Sequence, residues 1–447
     1  MRHVTTFLLA AASVITLCSS VTARGADLLE VFKQAQTADA VYAAARAAWV
    51  AAQEKLPQGR SGLLPTASLS GSTQFNDRTI TFRDPTVVGS SGRFNSNALS
   101  LSLTQPLYRR QNIVAYEQGK TQATQADSVL AQATQDLITR VAQAYVDVLL
   151  ARDNVAFAGA QKTAITEQLT QAKISFQVGT ATITDTHEAQ ARFDLAVSQE
   201  IVAQSDLELK QRTLELQIGK ATPALAPLGA LQLISPEPLV LDKWVEEART
   251  ANPLVRAAET NLTLAQQEVS RNRGGHYPTL DAFAGYNINR SGIGTLGGPG
   301  TNIDTKNIGL QLAVPIYQGG LVNSRVREAS ANEEKARQDL ENTRRTAELT
   351  ARQNYLGVTS GIAQVKALEA ALTSSQSALD STRLGREVGV RTQVDVLNAQ
   401  QQIFSARRDL AQAKYNYIMS TLKLKAAVGR LSDGDVVGVN AWLARAK

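Results

Sequence analysis

Cysteine, histidine and aromatic residues are scarce in this chain of 447 residues. It has one cysteine (Cys18) and three histidines, and aromatic residues make up 5% of the sequence. Cys18 lies in an N-terminal segment that we expect to be removed, so the mature chain would have no disulfide, thiolate nucleophile or zinc–thiolate site. His187 and His276 stand alone, without a second histidine at ligand spacing, which argues against a metal site. We therefore predict no metal and no other cofactor.

A strong charge of one sign is also missing. The chain has 46 Lys and Arg against 40 Asp and Glu, and its net charge is +6. Because the two signs are interspersed, nucleic acid is not an expected partner. No Gly-rich phosphate loop or nucleophile elbow occurs either, which makes an enzyme the weakest functional class.

Residues 1–26 have the pattern of an export signal. A short basic start precedes an apolar run over residues 4–17, which is shorter than the roughly 20 residues that a membrane-spanning helix needs. Cleavage is predicted after Ala23 or after Ala26. Lipidation at Cys18 is a weaker alternative, because the bulky Leu17 stands where lipoprotein processing prefers a small residue. No later segment is apolar enough to span a membrane as a helix.

The remainder of the chain duplicates one large unit. Residues 178–185 realign with residues 388–395, and the offset of 210 positions holds without a gap to Gly219 and Gly429. The predicted divisions are a first repeat (27–222), an inter-repeat linker (223–240), a second repeat (241–430) and a C-terminal segment (431–447).

Each repeat changes its hydrophobic period along its length. A helical pattern over residues 27–56 gives way to alternation, as where Leu99, Leu101 and Leu103 alternate with Ser and Thr. Long segments without proline follow, far beyond the 11 or 12 residues of an average helix. The predicted strands are about 64–76, 96–107, 278–290 and 306–317, and the predicted long helices are about 109–177, 181–218, 319–387 and 391–428.

The four predicted strands have one apolar face and one polar face. A soluble sandwich would suit a single pair of such strands, but the small polar side makes a poor core and the sheet edges stay unpaired. Together with export, the pattern favours a transmembrane barrel with apolar residues facing outward. Four strands cannot close a barrel with a lumen, so several chains must contribute to it.

The plan and its motifs resemble the TolC family of outer-membrane channel proteins. The matching segments are residues 64–66, 105–108, 176–179, 183–185, 315–320, 394–399 and 413–417. The resemblance implies an α+β membrane protein built from a duplicated helix–strand–strand–helix–helix unit. Three chains would form a 12-stranded outer-membrane β-barrel, with four strands per chain, continued by a long periplasmic α-helical barrel. The linker and the C-terminal segment would form an equatorial belt around this tunnel.

The resemblance also implies partners and sites. Family members are homotrimeric exit ducts that contact outer-membrane lipid and dock to a periplasmic adaptor and an inner-membrane ABC or proton-driven transporter. A periplasmic entrance gate would include Thr184, Asp185, Arg386, Arg391, Asp395 and Asn398. Two of these positions depart from the family pattern: Arg386 replaces an aromatic gate residue, and Asn398 replaces a carboxylate of a cation-attracting ring.

Physical reasoning on the same gate residues leaves two interpretations open. Arg391 and Asp395 are four positions apart and would share a helix face, and a charged pair near a narrow axis would interact strongly. All of these polar residues would equally suit the solvated surface of a long helix.

Two Val-Gly motifs are predicted to be the turns of helical hairpins, because glycine tolerates the positive φ that follows a helix end. Their residues are Val178, Gly179, Thr180, Val388, Gly389 and Val390. The family resemblance adds that these tips are where the adaptor docks. Tyr108 and Tyr317 follow strands and would suit either a membrane interface or ordinary packing.

The expected function is passive export through the outer membrane, most consistent with type I protein secretion. Multidrug efflux is the alternative within the same family. A periplasmic adaptor would need small β-domains in place of two duplicated strand pairs, and a periplasmic long-helix scaffold without transport would be absent from the outer membrane. The sequence does not identify the cargo.

Overall fold

The computed structural model describes residues 25–84, 86–293 and 298–443. Apart from Gly25 and Ala26, the predicted export signal lies outside the described residues, as do Cys18 and the last four residues of the predicted C-terminal segment. The helices are α1 (Leu28–Ala38), α2 (Ala40–Gln53), α3 (Lys55–Ser61), α4 (Arg110–Gln177), α5 (Ile183–Ile218), α6 (Leu241–Ala251), α7 (Pro253–Arg273), α8 (Leu321–Glu387), α9 (Gln393–Ala427) and α10 (Asp433–Asn440). The strands are β1 (Thr66–Ile80), β2 (Ser90–Tyr108), β3 (Thr279–Ile293) and β4 (Pro299–Ala313).

Four long helices form two antiparallel hairpins, α4 with α5 and α8 with α9. Helix α4 has 68 residues and α8 has 67, so each would extend about 100 Å at 1.5 Å per residue. No proline interrupts either helix, and each carries a stripe of buried residues dominated by Ala, Val and Leu. None of the helices in the described part of the chain is both long and apolar enough to cross a membrane.

The single helix predicted over residues 27–56 is wrong, because the chain forms three short helices there. The first break is at Asp39, whose extended backbone ends α1 and whose carboxylate accepts a hydrogen bond from the Tyr42 amide at 2.6 Å, which caps α2. Arg140 of α4 pairs with this carboxylate at 3.1 Å, and Asp39 is buried. Apolar periodicity alone did not reveal the break, because it comes from a polar capping group.

The strands form one antiparallel sheet in the order β1-β2-β3-β4. The central pairing joins the two repeats, with Leu101 of β2 opposite Tyr286 of β3 and also opposite Leu69 of β1. The face that carries these residues is largely apolar, and Leu101 is exposed in the single chain, as is Ile308 of β4. Within the described chain, β1 and β4 each have one edge without a partner strand.

The strand bounds differ from those predicted. Strands β1 and β2 run beyond the predicted ends, because polar residues continue the ladder as far as the pair Ile80–Ser90. Strand β4 spans Pro299–Ala313 instead of residues 306–317. It ends before Pro315, which has no amide hydrogen to donate to a ladder. The alternation of apolar and polar residues weakens toward the loops that join the strands. For this reason it predicted strand ends that stop short of the hydrogen-bonded ladder on the loop side.

A central core of buried apolar residues joins the two repeats midway along α4 and α8 and near the C-terminal ends of α5 and α9. It includes Phe32 of α1, Tyr145 of α4, Leu214 of α5, and Tyr417 and Leu422 of α9. The hydroxyl of Tyr417 donates to the Ile234 carbonyl at 2.9 Å and accepts from the Ile234 amide at 2.8 Å, so it ties the linker to α9. From the C-terminal segment, Val436 and Val439 complete the same core.

Candidate functional site at the hairpin tips

Both hairpins end in the same tight turn. Gly179 and Gly389 have φ angles of 77° and 79°, in the left-handed region that favours glycine. Any other residue there would be strained by its backbone conformation and not by lack of space, since nothing lies within 4 Å of an added Cβ at either position. The prediction of two hairpin turns is confirmed. The tips are apolar and open, and Val178, Val388 and Val390 are exposed.

The two duplicated aspartates of the predicted gate cap the helices that follow the turns. Thr182 and Asp185 form a capping box at the start of α5, and Thr392 and Asp395 form the equivalent one at the start of α9. In the second box the Asp395 carboxylate accepts from the Thr392 amide and hydroxyl, both at 2.9 Å. These hydrogen bonds lower the pKa of Asp395, with a smaller contribution from the charge of Arg391.

Arg391 does not share a helix face with Asp395, contrary to the expectation from their spacing. Helix α9 begins at Gln393 after its N-cap Thr392, which leaves Arg391 in the turn. Its side chain instead lies over Gly385 near the end of α8, where an added Cβ would come within 2.8 Å of the Arg391 Cγ. Within the described chain Arg391 has no hydrogen bond or ion pair with Thr184 or Asp185.

Arg386, one of the two residues that depart from the family pattern, lies where three helices meet. Its guanidinium donates to Gln393 Oε1 of α9 at 2.6 Å and to Gln168 Oε1 of α4 at 3.3 Å. The amide of Gln393 donates to the same oxygen of Gln168. Arg386 therefore helps to hold the second hairpin against the first.

Asn398 takes part in a second contact between the hairpins. Its side-chain oxygen accepts from the Arg192 guanidinium of α5 at 2.9 Å, and Arg192 also pairs with Glu188 at 3.4 Å. Farther from the tips, Gln161 of α4 donates to Gln401 of α9 at 2.7 Å. Thr184 is exposed, and no hydrogen bond from its side chain occurs within the described residues.

Sequence reasoning missed Gln161, Gln168, Arg192 and Gln401. The sequence marks Arg192 only as a pair with Glu188, four positions earlier on one helix face, and the offset of 210 positions makes Glu188 the counterpart of Asn398. Arg192 thus contacts the side chains at two equivalent positions of the repeat, Glu188 and Asn398. No comparable signal marks the glutamines, which are common along all four long helices.

Two apolar clusters near the tips each lie within one hairpin. One cluster joins Leu169 and Ala172 of α4 to Ala189 of α5. Another joins Leu379 of α8 to residues of α9, including Val396. Several hydrogen bonds near the tips, by contrast, link one hairpin to the other. Since water can replace such hydrogen bonds with little loss of free energy, the hairpins can separate here without exposing these clusters.

The two histidines of the described chain lie far apart. His187 is exposed at the start of α5, and His276 contacts Asn323 at 3.2 Å far from the tips. Among the described residues no group of three or more His, Cys, Asp or Glu side chains could hold a metal ion.

Comparisons with known proteins cover almost the whole chain. The sequence profile of the outer membrane efflux protein family matches residues 31–220 and 244–430. The outer membrane protein TolC of Vibrio cholerae is 34% identical over 98% of this chain and 98% of its own length. The proteases secretion protein PrtF of Dickeya chrysanthemi is 30% identical over 96% of this chain and 94% of its own length. The crystal structure of a membrane protein from Pseudomonas aeruginosa, 18% identical, shares the fold with a TM-score of 0.79 over 96% of this chain and 97% of that one.

Proposed function

The chain belongs to the TolC family of outer membrane efflux proteins, and we propose that it is the exit duct of a type I protein secretion system. It is an outer-membrane channel whose tunnel extends into the periplasm. As such it is the outer-membrane component of a tripartite export system. The proposal concerns its cargo, its specific partners and the residues that control its entrance.

The observation that carries the duct function is the open four-stranded sheet. Strand β1 of one chain and β4 of another each offer an unpaired edge, and the apolar residues of the sheet, such as Leu101 and Ile308, are exposed in the single chain. Pairing of β4 with β1 around a closed ring removes every edge and turns the apolar face toward lipid. With three copies, as expected for the family, the ring has twelve strands.

Similarity to PrtF favours protein secretion as the task. That relative is named for the secretion of proteases and aligns along nearly its whole length. Efflux of small molecules is the second candidate, favoured by the description of the family profile. In either case the partners would be a periplasmic adaptor and an inner-membrane transporter, an ABC transporter for type I secretion and a proton-driven pump for the alternative.

The entrance lies at the hairpin tips. The polar contacts of Arg386 and Asn398 hold the two hairpins of one chain together, whereas Arg391 and Thr184 remain available to a neighbouring chain. Asp185 and Asp395 lie in the first turns of α5 and α9 and place a carboxylate near each tip. Opening separates the hairpins when a docked adaptor replaces these contacts.

The exposed valines beside the two tip glycines form the docking surface for the adaptor. Two apolar, backbone-constrained turns per chain offer six contacts of two kinds in a trimer. Burial of Val178, Val388 and Val390, each exposed in the single chain, supplies the apolar area that stabilises docking.

Single-channel recording in planar bilayers tests the duct function. Protein extracted from outer membranes should give small, stable, cation-preferring steps, and Arg391→Ser should raise the conductance by loosening the entrance. Verified, folded oligomers that conduct in neither form would contradict the duct and favour a scaffold.

Complementation tests the cargo. The gene should restore protease secretion in a strain that has the ABC transporter and adaptor but lacks its own duct. Restored drug resistance without secretion would instead support efflux.

A further inference from the structure

A small cavity lies between α4, α5 and α9, about thirteen residues from the first tip. Its volume is about 20 Å³, and its lining includes Gln161, Arg192, Leu397 and Gln400. That space suffices for one water molecule, which needs roughly 10–15 Å³. It is too small for an organic ligand.

Two buried polar atoms of the cavity residues lack partners. The Nε of Arg192 and the Oε1 of Gln400 have no hydrogen-bond partner among the described residues. Gln400 is only 3% exposed. Both atoms are already shielded within a single chain, so a neighbouring chain cannot satisfy them. Orphaned buried polar atoms are uncommon in folded proteins, and each would otherwise cost about 1–3 kcal/mol.

We propose that Arg192 is a further entrance residue that joins the hairpins directly through Asn398 and, through one buried water molecule, also through Gln400. The water accepts a hydrogen bond from the Arg192 Nε–H and donates one to the Gln400 Oε1. An anion does not fit this site, because Gln400 presents an acceptor and Glu188 already balances the guanidinium charge at 3.4 Å. A cation does not fit beside the arginine.

This inference rests on the proposed entrance and makes it more specific. Asn398 and Gln400 both belong to α9, so Arg192 would hold α5 to α9 at two points instead of one. Removing the amide of Gln400 would leave the guanidinium with an unpaired buried donor, which weakens its bond to Asn398 as well. Closure of the entrance then depends on Gln400 as well, although Gln400 does not lie at a hairpin tip.

Conductance of matched variants tests this arrangement. Gln400→Met should raise the open probability roughly two- to tenfold, the effect of losing one net hydrogen bond, and Arg192→Met should raise it more, because it also removes the hydrogen bond to Asn398. Since both variants remove the same link, the double variant should show no more than the larger single effect. Gln190→Met is the control, because Gln190 is the repeat counterpart of Gln400 but donates to Asp194 of its own helix at 3.0 Å.

Three outcomes separate the inference from the proposed function. Additive effects of Arg192→Met and Gln400→Met would overturn the shared link, and so would unchanged conductance in both variants while Arg391→Ser still conducts more. Conductance that stays at the wild-type level in Arg391→Ser would refute the proposed entrance itself. In a density map at about 2 Å resolution, a water peak should lie within hydrogen-bonding distance of both atoms, and an empty, well-ordered cavity would contradict the proposal.

An independent observation at the N-terminal end of the described chain concerns processing. Ala26 is buried in the central core, donates to the Ala224 carbonyl at 2.6 Å and accepts from the Ala226 amide at 3.1 Å. The hydroxyl of Tyr145 donates to its carbonyl at 3.2 Å. Gly25 approaches the same segment so closely that an added Cβ would lie 2.8 Å from the Ala226 nitrogen.

We infer that the predicted export signal is removed after Ala23, so that Gly25 and Ala26 remain in the mature chain. Cleavage after Ala26 would remove these hydrogen bonds and leave a charged amine beside the core. It would also require Arg24 where signal cleavage prefers a small residue. Intact-mass measurement of protein from outer membranes should give a chain that begins at Arg24. A chain that begins at Asp27, or one that keeps residues 1–23, would overturn the inference.

Discussion

The central core and the hairpin tips are held together in different ways. In the core, apolar residues of both repeats pack in one cluster, with Tyr145 from the first repeat and Tyr417 from the second almost fully buried. Near the tips, the apolar clusters belong to one hairpin each, and hydrogen bonds such as Arg192–Asn398 connect the hairpins.

This difference indicates where the molecule can move. Separating the hairpins at the core would expose large apolar side chains at about 25 cal/mol per Å² of surface. Separating them at the tips exchanges protein hydrogen bonds for bonds to water, which changes the free energy by only about 0.5–1.5 kcal/mol per bond. We therefore propose that the core acts as a fixed point and that opening is confined to the tips.

Truncation in the core should have the largest effect. Tyr417→Ala removes a ring that is 1% exposed and leaves both the amide and the carbonyl of Ile234 without their partner. The expected loss is about 3–5 kcal/mol, seen as a large fall in the thermal unfolding midpoint. Conductance of the protein that still folds should match the wild type. Tyr417→Phe, which keeps the ring, should fall between the two in stability. Equal stability of Tyr417→Ala and the wild type would contradict the assignment of the core as the fixed point.

Loss of a contact near the tips should change conductance strongly and stability only slightly. Gln168→Ala removes the acceptor shared by Arg386 and Gln393, so we expect higher conductance with a stability loss of only about 1 kcal/mol. Gln177→Ala is the matched control, since Gln177 is an exposed glutamine at the end of the same helix. A rise in conductance for both variants would show that the effect is not specific to the link between the hairpins.

The two regions should also respond oppositely to the loss of a carboxylate charge. Burial raises the pKa of Asp153, which accepts from Tyr415 beside the core at 2.8 Å, whereas hydrogen bonds lower the pKa of Asp395 at the tip. A raised folded-state pKa means that ionised Asp153 opposes folding above the ordinary value of about 3.9. A lowered one means that ionised Asp395 stabilises the fold above that value, and that this contribution is lost as the pH falls through the folded-state pKa.

Unfolding midpoints of two asparagine variants measure this contrast. At pH 8, Asp153→Asn should raise the midpoint, because it removes a partly buried charge and keeps an acceptor for Tyr415, and Asp395→Asn should lower it. At a pH below about 3, where wild-type carboxylates are becoming protonated, both differences should shrink. Shifts of the same sign at pH 8 would be inconsistent with opposite environments.

The smallest effects are expected from the helix caps. Thr182→Ala and Thr392→Ala each remove one capping box, with an expected loss of about 0.5–2 kcal/mol confined to the first turn of α5 or α9. Hydrogen exchange should rise in that turn and remain unchanged in the central core. Faster exchange throughout the core of either variant would mean that tips and core are not independent.

Large-scale features of the fold were predictable because they repeat over many residues. The long helices follow from extended segments without proline, and the two turns follow from Gly179 and Gly389. Single polar groups were harder to place. Asp39 splits the first helix through one capping bond and one ion pair, and Arg391 falls outside α9 because Thr392 caps it. Contacts between hairpins, such as that of Arg192, depend on which faces of separate helices meet, and periodicity within one helix does not specify this.

The most direct test of hinging at the tips is a distance measurement within one chain. Spin labels at the exposed positions Lys173 of α4 and Arg383 of α8 report on the separation of the hairpins, and labels at Lys173 and Asp194 of α5 report within one hairpin. The labelled chain would be diluted into unlabelled trimers, with and without the pair Gln168→Ala and Asn398→Ala. We predict that loss of these contacts lengthens and broadens only the distance between hairpins. Unchanged distances, or an equal change within the single hairpin, would contradict the account.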